Sequence, residues 1–251
     1  MQTFPKESKP VTVSPALVLR PKLVLRVLTS VVIALGVINV LIAILRYRLT
    51  FDSYNYINIL NTIFSLDREQ NVPTYFSSAI LLLAALLLLF IFSLKRPETG
   101  TARRYWGPLA VIFVLLSMEE YIGLHELSSD SLRDFTGLGT GRTSWLYYAW
   151  VLPAFVAAAA IGLYFLKFLF KLPIVTRRRF FWSGIMYVVA TMGLELFGGH
   201  LMTTVGRASF PFALAATVEE MLEMFAISYF IFALLDYLKQ NYRQELLISF
   251  R

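Results

Sequence analysis

Apolar runs of about twenty residues recur along this chain, the length a helix needs to cross a hydrocarbon core of roughly 30 Å. Six stand out, over about 25–46, 74–95, 106–127, 145–170, 180–202 and 211–236. The second, SSAILLLAALLLLFIFSL, carries no charge until its end. Glutamates interrupt the third, fifth and sixth. The pattern predicts an all-α fold, a polytopic transmembrane helical bundle over residues 23–238, with tails at 1–22 and 239–251. No polar stretch is long enough to fold as a second domain.

The polar segments add two expectations. In FDSYNYINILNTIFSLD, Tyr56, Ile59, Ile63 and Leu66 alternate with Asn55, Asn58, Asn61 and Thr62 at helical spacing. That spacing predicts a short helix lying in the membrane interface. The segment SSDSLRDFTGLGTGRTS is rich in Gly, Ser and Thr and reads as a mobile loop. Trp145, Tyr147, Tyr148 and Trp150 read as an aromatic belt opening the fourth span. The AFVAAAAIG stretch within that span reads as a packing surface for a neighbouring helix.

Charge then orients the bundle. Lys6, Lys9, Arg20, Lys22 and Arg26 precede the first span, and Lys95, Arg96, Arg103 and Arg104 lie between the second and third. Lys171 and Arg177–Arg179 lie between the fourth and fifth, and Lys239 and Arg243 follow the sixth. The other loops are poor in cations, so the positive-inside rule puts both termini in the cytoplasm. The net charge of +7 is mostly this rim. It suits anionic lipid head groups and calls for no nucleic acid. The chain has no cysteine, which excludes disulfides and thiolate metal sites. Residues 1–20 carry three prolines and read as a flexible tail, not a cleavable signal peptide.

The candidate chemistry lies where lipid-spanning helices should have none. SMEEYIGLHE holds Glu119, Glu120, His125 and Glu126; LELFGGH holds Glu195 and His200; TVEEMLEMF holds Glu219, Glu220 and Glu223. A charge at mid-membrane costs roughly 2.5–3.5 kcal/mol on insertion scales, so these residues default to function. At 1.5 Å per residue, Glu119 and Glu195 lie roughly 20 Å from the cytoplasmic starts of their spans, and Glu219 and Glu223 roughly 12–18 Å below the outer start of theirs. All fall in the outer half of the membrane, with the histidines about a turn further out.

Glu119, Gly123 and Glu126 share a stripe of the third span, which Glu120 borders; Glu195 and Gly199 share one of the fifth, and Glu219, Glu220 and Glu223 one of the sixth. The histidines face away from their acids on ideal helices. They join only if the helix loosens at Gly123 and at Gly198–Gly199. Arg46, Arg48, Arg133, Arg142 and Arg207 are the nearest candidate counter-ions, too few and too peripheral for seven carboxylates. Bound protons or a bound divalent metal must balance the rest. Carboxylates with imidazole suit Zn, Mn or Fe. A single such Glu often serves only as hydrogen-bonded packing glue, but a whole layer of them does not read that way. Two histidines on separate helices also fit a haem, which the surrounding acids disfavour. Ser117 reads as a hydroxyl bonded back to a helix carbonyl rather than a nucleophile.

The segments FSLDREQNVPTYFSS, LSMEEYIGLHE, LYYAWVLP, GLELFGGH and ATVEEMLEMF together resemble a widespread group of bacterial polytopic membrane proteins of uncharacterised activity. The resemblance spans about residues 60–236. It implies a bacterial inner-membrane protein and singles out the same acidic motifs. The chain is also similar to alkaline-ceramidase-like membrane hydrolases in using span Ser, acid and His. Those have seven spans and three zinc-binding histidines, where this chain has two. Two functions follow as expectations. One is cation-linked transport or binding, with protons or a divalent metal held by the Glu layer and a small cation as partner. The alternative is a metal-dependent enzyme acting on a lipid or other substrate from the outer leaflet.

Overall fold

The computed structural model describes residues 20–48, 55–94, 103–138 and 144–242. The sequence expectations for residues 1–19 and 243–251, most of both tails, lie outside these. The described chain is helical throughout its length apart from short connections: α1 (Pro21–Arg48), α2 (Asn55–Phe64), α3 (Val72–Leu94), α4 (Arg103–Ile122), α5 (Leu124–Thr136), α6 (Val151–Lys171), α7 (Ile174–Val188), α8 (Glu195–Thr204) and α9 (Phe210–Asn241). A π-helical turn, Val189–Leu194, joins α7 to α8 without a break. Six helical segments are long and apolar enough to cross a membrane: Pro21–Tyr47, Val72–Leu94, Arg104–Ile122, Val151–Lys171, Ile174–Thr204 and Phe210–Asn241. This is a multi-pass membrane protein with an all-α fold.

Local sequence sets the helix ends. Pro21 and Pro73 sit in the first turns of α1 and α3, and Pro153 in that of α6, where a missing N–H costs nothing. Pro173 precedes α7. Ser209 caps α9, its hydroxyl accepting from Phe212 N. The fifth span starts earlier and the sixth ends later than the hydropathy reading, at 174 and 241, and two other ends differ in ways that shape the site. The third span stops at Ile122 rather than 127, because Gly123 takes a left-handed backbone (φ 68°) and turns the chain into α5. The first part of the supposed mobile loop is therefore helix, closed at Gly137 by a second left-handed residue. The fourth span starts at 151 rather than 145, so Trp145–Trp150 form an irregular segment ahead of α6.

The last helix is the centre of the bundle. α9 packs against α1, α3 and α7 and is largely buried. That is why it can carry Glu219, Glu220 and Glu223 in an apolar stretch: the neighbouring helices, not lipid, surround them. α1 crosses α9 closely at Gly36, where a Cβ would stand 2.1 Å from Met221 Sδ. Above that crossing, Asn39 Nδ2 donates to Thr217 Oγ1 (2.7 Å), and Asn39 Oδ1 accepts from Leu66 N (3.3 Å). One side chain thus ties α1 and α9 to the connection that follows α2.

α4 meets α9 through Trp106 on Tyr237 and Phe113 on Phe230, and packs most closely on α3. Ser78 and Ser117 explain this, since each hydroxyl bonds the other residue's carbonyl, at 2.8 and 2.9 Å. Ser117 is a clasp between helices. At the lysine- and arginine-rich end, Trp106, Phe168, Phe180, Phe230 and Tyr237 interlock, and Arg179 pairs with Asp236.

α6 is the outlier. It touches α7, yet most of its length is exposed, including Ala157, Ala159 and Ala160. Among the described residues no helix packs closely on this small-residue stretch, and Ala160 and Ile161 instead line a cleft shared with α4.

Candidate functional site

The break at Gly123 builds the first part of the site. It folds α5 back so that His125 Nδ1 stands 2.6 Å from Glu119 Oε1, and His125 N donates to the same oxygen at 3.2 Å. A straight helix would have kept the two apart. The His125 ring lies 4.9 Å from that of Trp150. Burial alone would lower the His125 pKa. The hydrogen bond and charge of Glu119, with the charges of Glu195 and Glu69, push it up to about 9.

The π-helical turn builds the second part. The wider turn shifts the facing of everything after it relative to a regular helix. Glu195 follows it directly. Its Oε1 accepts from Trp150 Nε1 at 3.1 Å, and its carboxyl lines the same cavity as that of Glu219 on α9. Two neighbouring carboxylates repel unless a proton or a cation lies between them. Gly198 leaves the space that Glu219 Oε2 approaches, 3.9 Å from where a Cβ would be.

Glu120 points the other way around α4 and takes a hydrogen bond from Ser77 on α3. Glu220 faces Glu120, and Glu223 lies deeper, with Tyr187 of α7 among its charge neighbours. Between these groups is a cavity of about 50 Å³ lined by Asp67, Glu69, His125, Tyr148, Glu195, Glu219 and Glu220. A water needs at least about 10–15 Å³, so a small cation or a few waters fit. A drug-sized ligand needs roughly 300 Å³ or more.

The structure therefore brings His125, Glu195, Glu219 and Glu220 together around this cavity, with Glu119 bonded to His125 and with Glu120 and Glu223 off its lining. His200 is not among them. Its ring stacks on Trp145 at 4.7 Å and 15°, and Nδ1 is buried without a hydrogen-bond partner among the described residues. Gly198 and Gly199 stay helical and do not release it. They serve instead as a flat seat for Tyr147 and Tyr148. Glu126 lies on α5, with its side chain outside the described residues. Among the described residues no three His, Asp or Glu side chains converge with the spacing that would hold a metal ion.

Sequence reasoning missed part of the site. Glu69 and Asp67, on the connection between α2 and α3, both line the cavity. The Glu69 side chain lies over Gly123, 3.1 Å from where a Cβ would be. The doublet in SLDREQN, a polar break between apolar runs, was the available signal. Tyr148 and Trp150 were read as belt residues, yet they face the acids. Burial, and then the charges of Glu195 and Asp67, hold the Tyr148 phenol well above its ordinary pKa, so it remains a donor. The described rim cations have partners of their own, Arg207 with an acid of the cavity lining. Arg207 bonds Asp67 (3.2 Å), and Arg133 bonds Asp130 (2.6 Å) and covers the Tyr147 ring. Arg46 lies over Tyr47, while Arg142 and the Arg48 side chain are outside the described residues.

Residues 25–238 match the family model described as a domain of unknown function (DUF8692). The chain belongs to this family. The DUF8692 match covers all six membrane helices except the ends of the first and last, and every acid of the site. No curated protein and no solved structure matches.

Proposed function

We propose that this DUF8692 protein is a proton-linked membrane carrier. Its carboxyl layer holds protons, and a small cationic group takes their place in the cavity. The observation that carries this reading is the pair Glu195 and Glu219, brought together from α8 and α9 in one cavity lined by further acids. Such a pair gives up its shared proton readily when a cation arrives, because two adjacent carboxylates repel unless something positive lies between them. The Glu119–His125 pair at the mouth is a second proton store. A divalent metal remains the rival occupant. The donor spacing disfavours it, because among the described residues no three His, Asp or Glu side chains stand close enough to hold one ion. The small cavity likewise disfavours an enzyme that must enclose a lipid head group.

The test uses vesicles holding the purified protein and an entrapped pH indicator. The probe is external guanidinium, a permanent cation that cannot leak across as a neutral base. The lumen should turn alkaline as protons leave in exchange. The double variant Glu195→Gln/Glu219→Gln should give no response. A wild type that shows no pH change under any guanidinium gradient would overturn the reading.

A further inference from the structure

One large cleft lies outside the acid cavity. It runs between α4 and α6, has a volume of about 630 Å³, and is lined by Pro108, Val111, Ile112, Ala160, Ile161, Tyr164 and Phe165. Its floor is closed where Tyr105 packs on Tyr164 and Phe165. Its side is open to the membrane, since α6 leaves Ala157, Ala160 and Ile161 exposed. The acidic end of α4 stands above it. At about 100° per residue, Pro108, Ile112, Leu115 and Glu119 share one stripe of α4. At 1.5 Å per residue Glu119 stands about 10 Å above Ile112. On the facing helix Val151, next to Trp150, stands about 13 Å above Ala160. Trp150 and His125 meet over the top.

Resting on the carrier reading, we propose that the substrate is a cationic amphiphile. Its hydrocarbon tail lies in the α4–α6 cleft and its ammonium or guanidinium head reaches Glu119 and Trp150. The tail matches a wall of aliphatic and aromatic side chains. The head matches the charge at the top, where Glu119, Glu195 and Glu69 outnumber His125. The Glu119 carboxylate is partly exposed, at 34%, and thus accessible. Trp150 offers its ring face to a cation. One turn along α5 from His125, Ser129 is buried (3% exposed) and its hydroxyl has no partner among the described residues. A polar head seated beside His125 supplies one. Lateral entry also explains why α6 stands off the bundle. A tail can leave the lipid and enter without crossing the polar surface.

The probes are a long-chain alkylguanidinium and a fatty carboxylate of equal length, each with a photoreactive group mid-chain, in phosphatidylcholine vesicles holding the full-length protein. The guanidinium should label residues 108–112 and 160–165 about tenfold more than the carboxylate. Glu119→Gln should remove most of that preference. Ala160→Trp, which fills the cleft from an exposed position, should remove the labelling itself. Leu163→Trp, on the outer face of α6, should leave it unchanged. Equal labelling by the two probes, or labelling indifferent to both Glu119→Gln and Ala160→Trp, would overturn the proposal. If guanidinium–proton exchange persists in that case, only the amphiphile is lost. If charge-selective labelling persists without exchange, the carrier reading fails and the cleft stands.

Discussion

His125 Nδ1 lies 2.6 Å from Glu119 Oε1, across a backbone break at Gly123. The pair exists because residue 123 has no side chain. Gly123→Ala places a Cβ in the left-handed region, at a cost of about 1–2 kcal/mol, and drives it against Glu69 Cγ. The variant should melt lower than wild type in detergent, and the imidazole should lose its downfield hydrogen-bonded proton. An unchanged imidazole signal would mean that the break is not what holds the pair.

The same pair makes stability depend on alkaline pH. The His125 pKa is raised from about 6.5 in an unfolded chain to about 9 in the fold by Glu119, Glu195 and Glu69. A raised histidine stabilises the fold fully below its unfolded pKa. That contribution fades as pH rises from about 6.5 through about 9. Partial solvent screening leaves about 2 kcal/mol at stake. His125→Gln should be less stable than wild type at pH 6 and should lose the slope between pH 6 and 9. Parallel melting curves for the two proteins across that range would contradict the assignment.

Glu220 separates protons from metal as occupants of the layer. If protons hold it, Glu220→Gln mimics the neutral acid, and the variant should melt at the wild-type temperature or above it, indifferent to chelator. If a metal holds it, the variant should lose metal and stability together. The measurement is melting temperature with bound metal by elemental analysis, with and without chelator. The proton outcome is expected.

The π-helical turn is expected to fix where Glu195 points. Deleting Gly193 should restore a regular helix and rotate Glu195 by about 100° away from Glu219 and Trp150. The chain has no native cysteine, so Glu195→Cys/Glu219→Cys can report the geometry directly. The pair should cross-link in membranes and fail to do so once Gly193 is removed. Cross-linking that survives the deletion would assign the geometry to α8 packing instead.

Orientation follows from the loop charges. Reporter fusions at residues 100, 136, 175 and 207 should read inside, outside, inside, outside. A cytoplasmic reporter at 136 would turn the bundle over and place the acid cavity and the mouth of the cleft on the inner face.

The sequence by itself determined the six apolar helices, their approximate limits and the three acidic motifs. Both signals are local. A run of about twenty apolar residues has no alternative use in lipid, and a carboxylate within one is expensive wherever its partners lie. Only the tertiary structure decided which acids meet. His125 reaches Glu119 because one glycine adopts a left-handed backbone, and Glu195 reaches Glu219 because one turn is wound wide. Hydropathy records neither. His200, in the same E-x-x-G-x-H pattern as His125, stacks on Trp145 because its glycines stay helical. Glu69 and Trp150 joined the site from segments that read as loop and belt. Their side chains face the acids because of how the connections pack, through Asn39 and the Gly199 seat, and those contacts join residues far apart in the chain.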